Sequence, residues 1–102
     1  MRYYILQLPS SSKYLFSPYN EKRKVNLHDY VPTYTDIVED DWISGEEICE
    51  ELFRKFNHRL PDHFAGHSMS VSDIIMLVPN EGEKEIYYCD MVGFKKIRSE
   101  LK

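Results

Sequence analysis

Three histidines, His58, His63 and His67, lie in one short stretch of the chain, and imidazole is a common metal ligand. The spacing of His63 and His67 would put both rings on one face of a helix. Pro61 before them and Gly66 between them argue against a helix there. Cys49 and Cys89 sit far apart without the paired spacing of a zinc site. No metal and no other cofactor is expected. Ser68, Ser70 and Ser72 stand beside His67 and Asp73, which are the residue types of a hydrolase triad. A triad needs members gathered by the fold, a nucleophile on a strained turn and donors for an oxyanion. Adjacent polar residues ahead of a strand instead satisfy turn backbone, so no catalytic residue is assigned. Cys89 lies beside Asp90, whose carboxylate disfavours a thiolate, and reads as a small core filler. Gly45, Gly66, Gly82 and Gly93 are isolated, which removes a phosphate-cradling loop.

The charge distribution is more informative. Residues 36–51 hold eight acids (Asp36, Glu39, Asp40, Asp41, Glu46, Glu47, Glu50 and Glu51) and no Lys or Arg. The remainder of the chain is net basic, although the whole carries a formal charge of -4. Carboxylates in a first helical turn interact well with the helix dipole. Glu46 with Glu50 and Glu47 with Glu51 are nonetheless like-charged pairs four residues apart, which cost a little. Such a face is ordinarily just solvated. The sharper expectation is a negative surface that docks on a basic groove and excludes nucleic acid from it. Trp42 would be its anchor, as tryptophan is enriched at interface hot spots, or else a lid over the helix. Lys95, Lys96, Arg98 and Lys102 cluster at the other end without interleaved aromatics, a weak pointer to RNA or DNA.

These residues need elements to position them. The 102 residues suit one domain over residues 1–102, with 42% hydrophobic and 14% aromatic content arguing against disorder. Residues 2–8 read as an interior strand covered on both faces, with Tyr4, Leu6 and Leu8 on one side and Tyr3, Ile5 and Gln7 on the other. Pro9 and three serines stop it, and a short apolar patch and a basic stretch follow. A turn or short helical piece is expected over 26–30. Residues 31–38 have strand chemistry, but Pro32 confines them to an edge or a strand start. An amphipathic helix is expected over 44–57. Ser44 and Glu47 form its capping box, and Ile48, Cys49, Leu52, Phe53 and Phe56 fall within an arc of roughly 140°. Glu50 with Arg54 and Glu51 with Lys55 are oppositely charged pairs in the favourable order. Residues 73–78 read as an interior strand, with Pro79, Asn80 and Gly82 turning into a partner over 85–91. Asp90 and Gly93 mark a turn or bulge before a last strand over 94–97. The expected class is α+β, a mostly antiparallel sheet of about four to five strands with one main helix packed on it. No membrane segment or signal peptide is evident, and the few cysteines favour the cytoplasm.

Two blocks carry a resemblance. Residues 64–75 contain G-H-S-x-S-V-S-D, and residues 87–95 contain Y-Y-C-D-x-x-G-F. Together with residues 3–8, 26–30 and 51–57 they make the chain resemble the YodL-like family of small Firmicutes domains. Met91-Val92 departs from that pattern, where a small residue and then a hydrophobic one are expected. The resemblance implies a fold signature of Gly66, His67, Ser68, Ser70, Asp73, Tyr88, Asp90, Gly93 and Phe94, with no catalytic residues. It also implies a setting on plasmids, phages and conjugative elements, beside genes that counter host defence. The leading expectation is therefore a non-enzymatic inhibitor of the anti-CRISPR kind, binding a type II effector nuclease with or without guide RNA. A module for another host protein, such as a cytoskeletal, division or replication factor, is the alternative. A hydrolase using His67 comes third.

Overall fold

The computed structural model describes residues 1–39, 44–58 and 66–97. Five strands form one antiparallel sheet: β1 (Arg2–Gln7), β2 (Val31–Ile37), β3 (Ile74–Val78), β4 (Glu85–Cys89) and β5 (Phe94–Ile97). Their spatial order is β2-β1-β3-β4-β5, so β3 holds the centre and β1 is its interior neighbour. The α-helix α1 (Gly45–His58) comes between β2 and β3 in the chain. The α+β class with one main helix on an antiparallel sheet is what the hydrophobic patterning indicates.

The apolar runs go to the interior for a simple reason. Tyr3, Ile5, Ile75, Leu77 and Tyr87 point to one face and pack against Ile48, Cys49, Leu52 and Phe56 of α1. Leu6, Ile74, Ile86 and Tyr88 point to the other face. Among the described residues no second α-helix covers that face. Instead, residues 9–30 form a strap across it, contributing Val25 and Tyr30 to the buried cluster with Tyr14, Leu15, Tyr19 and Leu27 half-buried around them. Within the strap, Leu27–Asp29 make one turn of 3-10 helix, capped by the Asn26 carboxamide oxygen accepting from the His28 amide at 2.9 Å.

Local chemistry explains the boundaries. Strand β2 lies at the sheet edge, where Pro32 removes no necessary ladder donor. Its register slips between Ile5 and Leu6 of β1, leaving Thr33 as the extra residue. At the start of α1 the Ser44 hydroxyl accepts from the Glu47 amide at 3.2 Å and donates to the Glu47 carboxylate at 3.2 Å. The capping pair thus closes side chain to side chain. The helix runs one residue beyond Asn57, to His58. Strand β4 ends at Cys89 rather than Met91. The Asp90 amide donates to the Gly93 carbonyl at 3.0 Å and the Asp90 carboxylate caps the Met91 amide at 2.8 Å. Gly93 takes φ +70°, a conformation that favours glycine, and Met91 and Val92 are left exposed on the turn.

Candidate functional site

The acids of α1 follow directly from its amphipathic pattern. Ile48, Cys49, Leu52 and Phe56 are buried, so Glu46, Glu47, Glu50 and Glu51 stand on the solvent side and all four are exposed. Arg54 and Lys55 do not close ion pairs with Glu50 and Glu51; Lys55 lies 5.5 Å from the Phe56 ring instead. Two long exposed side chains gain little by being held together. The start of the helix sits on β4, because Gly45 lets it approach the Tyr87 hydroxyl. A Cβ at that position would meet the hydroxyl and would lie 2.8 Å from a Glu85 carboxylate oxygen.

Six of the eight acids of residues 36–51 lie among the described residues. Asp36 and Glu39 are exposed at the β2 edge, where Asp36 accepts from the Tyr34 hydroxyl at 3.3 Å and from the Ile37 amide at 2.8 Å. Strand β2 is three places from β4 in the sheet, roughly 14 Å by ordinary strand spacing. Asp40, Asp41 and Trp42 lie outside the described residues, as do His63, Arg98 and Lys102. Beside Glu50 a cleft of about 200 Å³ opens between α1 and the β4–β5 turn. Phe53 and Phe94 wall it, edge to face at 6.0 Å, with Arg54, Asp90 and Met91 at its rim.

The G-H-S-x-S-V-S-D residues gather around a fully buried carboxylate. Asp73 Oδ2 accepts from Gln7 Nε2 at 2.9 Å and from the Ser70 amide at 3.0 Å. Gln7 Nε2 also donates to the His67 carbonyl at 2.8 Å, tying the loop to β1. Gly66 is required for this contact. A Cβ there would collide with Gln7 Oε1 and come within 2.9 Å of Thr33 Cγ2. The need is steric. Among the described residues, Gln7 Oε1, Ser70 Oγ and Asp73 Oδ1 are buried without partners. Burial pushes the Asp73 carboxyl up to about 6, against the opposing pull of the Gln7 and Ser70 hydrogen bonds and the His67 charge. The exposed His67 ring meets the Ser68 carbonyl through Nδ1 at 2.7 Å, and the Ser72 hydroxyl accepts from the Phe16 amide at 3.0 Å. Among the described residues, neither the Ser70 nor the Ser72 hydroxyl engages the imidazole.

The second motif fastens the strap. The Tyr88 hydroxyl donates to the Ser17 carbonyl at 2.7 Å and accepts from Arg23 at 2.7 Å. Asp90 accepts from the Tyr19 amide at 3.1 Å. The Tyr30 hydroxyl donates to the carbonyl of Ser72, a buried residue with φ +87°. Cys89 is buried, and burial, with the Asp73 and Asp90 charges adding to it, pushes its thiol up to about 12. Desolvation outweighs the adjacent carboxylate in silencing that thiol. Among the described residues no group of three or more His, Cys, Asp or Glu could hold a metal ion. None of their helices is long and apolar enough to cross a membrane.

Gln7 was the residue least visible beforehand. Its signal is a lone polar side chain on an otherwise apolar strand face, which demands a buried partner. The YodL-like domain family matches residues 1–99, and the chain belongs to it. No curated protein and no solved structure matches the chain.

Proposed function

We propose that this YodL-like domain is a non-catalytic binding module whose α1 face docks on a basic surface of a partner protein. The partner in this reading is a host defence protein, a type II CRISPR effector nuclease or its guide-bound complex, blocked where it would hold phosphates. One observation carries the docking mode: the cleft beside Glu50, walled by Phe53 and Phe94. An arginine or lysine of the partner can lay its apolar stem along those rings and place its charge at Glu50 and Asp90. The exposed carboxylates of Glu46, Glu47 and Glu51 around it would speed encounter and set orientation. The motif residues support a non-catalytic role, because Asp73 Oδ2, the Tyr88 hydroxyl and the Asp90 carboxylate hold the loop and the strap. The defence partner rests on the mobile-element setting that the family resemblance implies.

The test is target cleavage by a guide-loaded type II nuclease, with the protein added before or after guide loading. Paired Glu50→Lys and Glu51→Lys substitutions spare the Ser44–Glu47 cap and should weaken inhibition at least tenfold, on the order of 1.4 kcal/mol, while thermal stability changes little. Inhibition only before guide loading places the contact in the guide channel. Undiminished inhibition by the double variant refutes the α1 face as the docking surface. No inhibition of several nucleases in either order moves the partner to another host protein.

A further inference from the structure

The opposite face of the molecule carries the opposite charge. Residues 9–30 hold four cations, Lys13, Lys22, Arg23 and Lys24, against two acids, Glu21 and Asp29. Lys95 pairs with Tyr88 in the sheet, emerges on the same face and is exposed. The chain as a whole is acidic, so this positive surface reflects placement and not composition.

A cleft of about 540 Å³ opens in the strap, with Tyr14, Tyr19, Asn20, Arg23 and one carboxylate, that of Glu21, in its lining. Arg23 is held in place. Its guanidinium lies 4.3 Å from the Tyr14 ring centre and 5.7 Å from that of Tyr88, and one nitrogen donates to the Tyr88 hydroxyl at 2.7 Å. Its backbone is fixed too, donating to the Asn20 carbonyl at 2.9 Å. Most of the guanidinium's N–H donors are unspent, and a planar fork fixed in this way is suited to bidentate recognition of a phosphate. Tyr19 packs edge to face on Tyr88 at 5.5 Å, which steadies a second ring beside the arginine.

We infer that the strap cleft is a contact site for single-stranded nucleic acid, with Arg23 taking a backbone phosphate and Tyr14 and Tyr19 presenting rings to an unstacked base. An acidic peptide would satisfy the cations but has no use for two rings beside a rigid guanidinium. A duplex would need an element that enters a groove, whereas this surface is a shallow local cleft. The site does not involve α1 and stands or falls independently of its docking role.

Fluorescence anisotropy of a labelled oligouridine of about 12 nucleotides tests the inference on the full chain. Binding should weaken on the order of tenfold between about 50 and about 200 mM salt, as expected when about three phosphates are neutralised. Lys13→Glu combined with Lys22→Glu, both exposed, should weaken it at least tenfold with the fold intact by circular dichroism. Tyr19→Phe should retain binding and Tyr19→Ala should lose on the order of tenfold, separating ring stacking from charge. The Glu50→Lys, Glu51→Lys protein should bind no more weakly than the parent chain. Absence of an anisotropy change at low salt overturns the site, as does undiminished binding by the lysine variant. Displacement by poly-glutamate as effective as by unlabelled oligouridine would assign the cleft to acidic proteins and overturn it equally.

Discussion

At the residue scale the most consequential group is Asp73, a carboxylate with no exposed surface whose Oδ1 has no partner among the described residues. Its folded-state pKa stands at about 6 against an ordinary 3.8. The folded protein therefore holds this proton over a range where the unfolded chain has lost it. Stability from the group is complete below pH ~4 and is lost as pH rises through about 6, a swing on the order of 3 kcal/mol. The groups facing it are Gln7, the Ser70 amide and the His67 ring, which all favour the anion and are outweighed by burial. Asp73→Asn removes the titration. The stability advantage of the parent over this variant should be largest near pH 4 and shrink by ~3 kcal/mol by pH 7, read from urea melts at each pH. A constant difference across that range would show that the carboxylate titrates normally. Asp73 was visible in the sequence as a turn residue ahead of a strand. Its burial was not, because burial depends on Gln7, whose partner is 66 positions away in the chain.

At the element scale, α1 was legible because its signal is local: the capping pair, the apolar arc and the polar remainder lie within one segment. The strands were legible for the same reason, down to the edge position of the Pro32 segment. The seat of the helix on the sheet was not, since it rests on Gly45 meeting Tyr87, residues with no local relation. That contact yields a prediction against helix propensity. Alanine is ordinarily the better helix former by up to ~1 kcal/mol. At this position its methyl would come within 2.9 Å of Tyr87 Cζ, in a ring that is 6% exposed and cannot simply swing aside. Overpacking of this kind costs ~1–3 kcal/mol. Gly45→Ala should lower the urea midpoint, and adding Tyr87→Phe, which removes the obstructing hydroxyl, should recover part of the loss. A Gly45→Ala protein as stable as its parent would mean that the helix can lift from β4 at little cost.

At the scale of the whole molecule, one sheet has two unlike coverings. The helix face is closed by apolar side chains from a regular element, whereas the strap face is closed by an irregular segment pinned at a few polar points. Composition could not reveal this arrangement, because the strap's apolar residues have no period. The pins are Tyr30 on Ser72, Phe16 on Ser72, Tyr19 on Asp90 and Tyr88 on Ser17, and each joins the strap to a motif segment or to β4. Ser72, Tyr88 and Asp90 of the two blocks thus hold the strap, so the two faces should differ in how they open. A segment held by a few hydrogen bonds and a half-buried apolar fringe opens at less cost than central strands do. Tyr30→Phe deprives the buried Ser72 carbonyl of its donor at 2.7 Å and should cost ~1–3 kcal/mol. In hydrogen exchange the strap amides, those of Phe16 and Tyr19 among them, should lose protection in this variant well before the amides of β1 and β3. A uniform loss across strap and sheet would mean that the two unfold as one unit. Selective loss in the strap would identify residues 9–30 as the part of the fold that can move while the helix face and its acids stay in place.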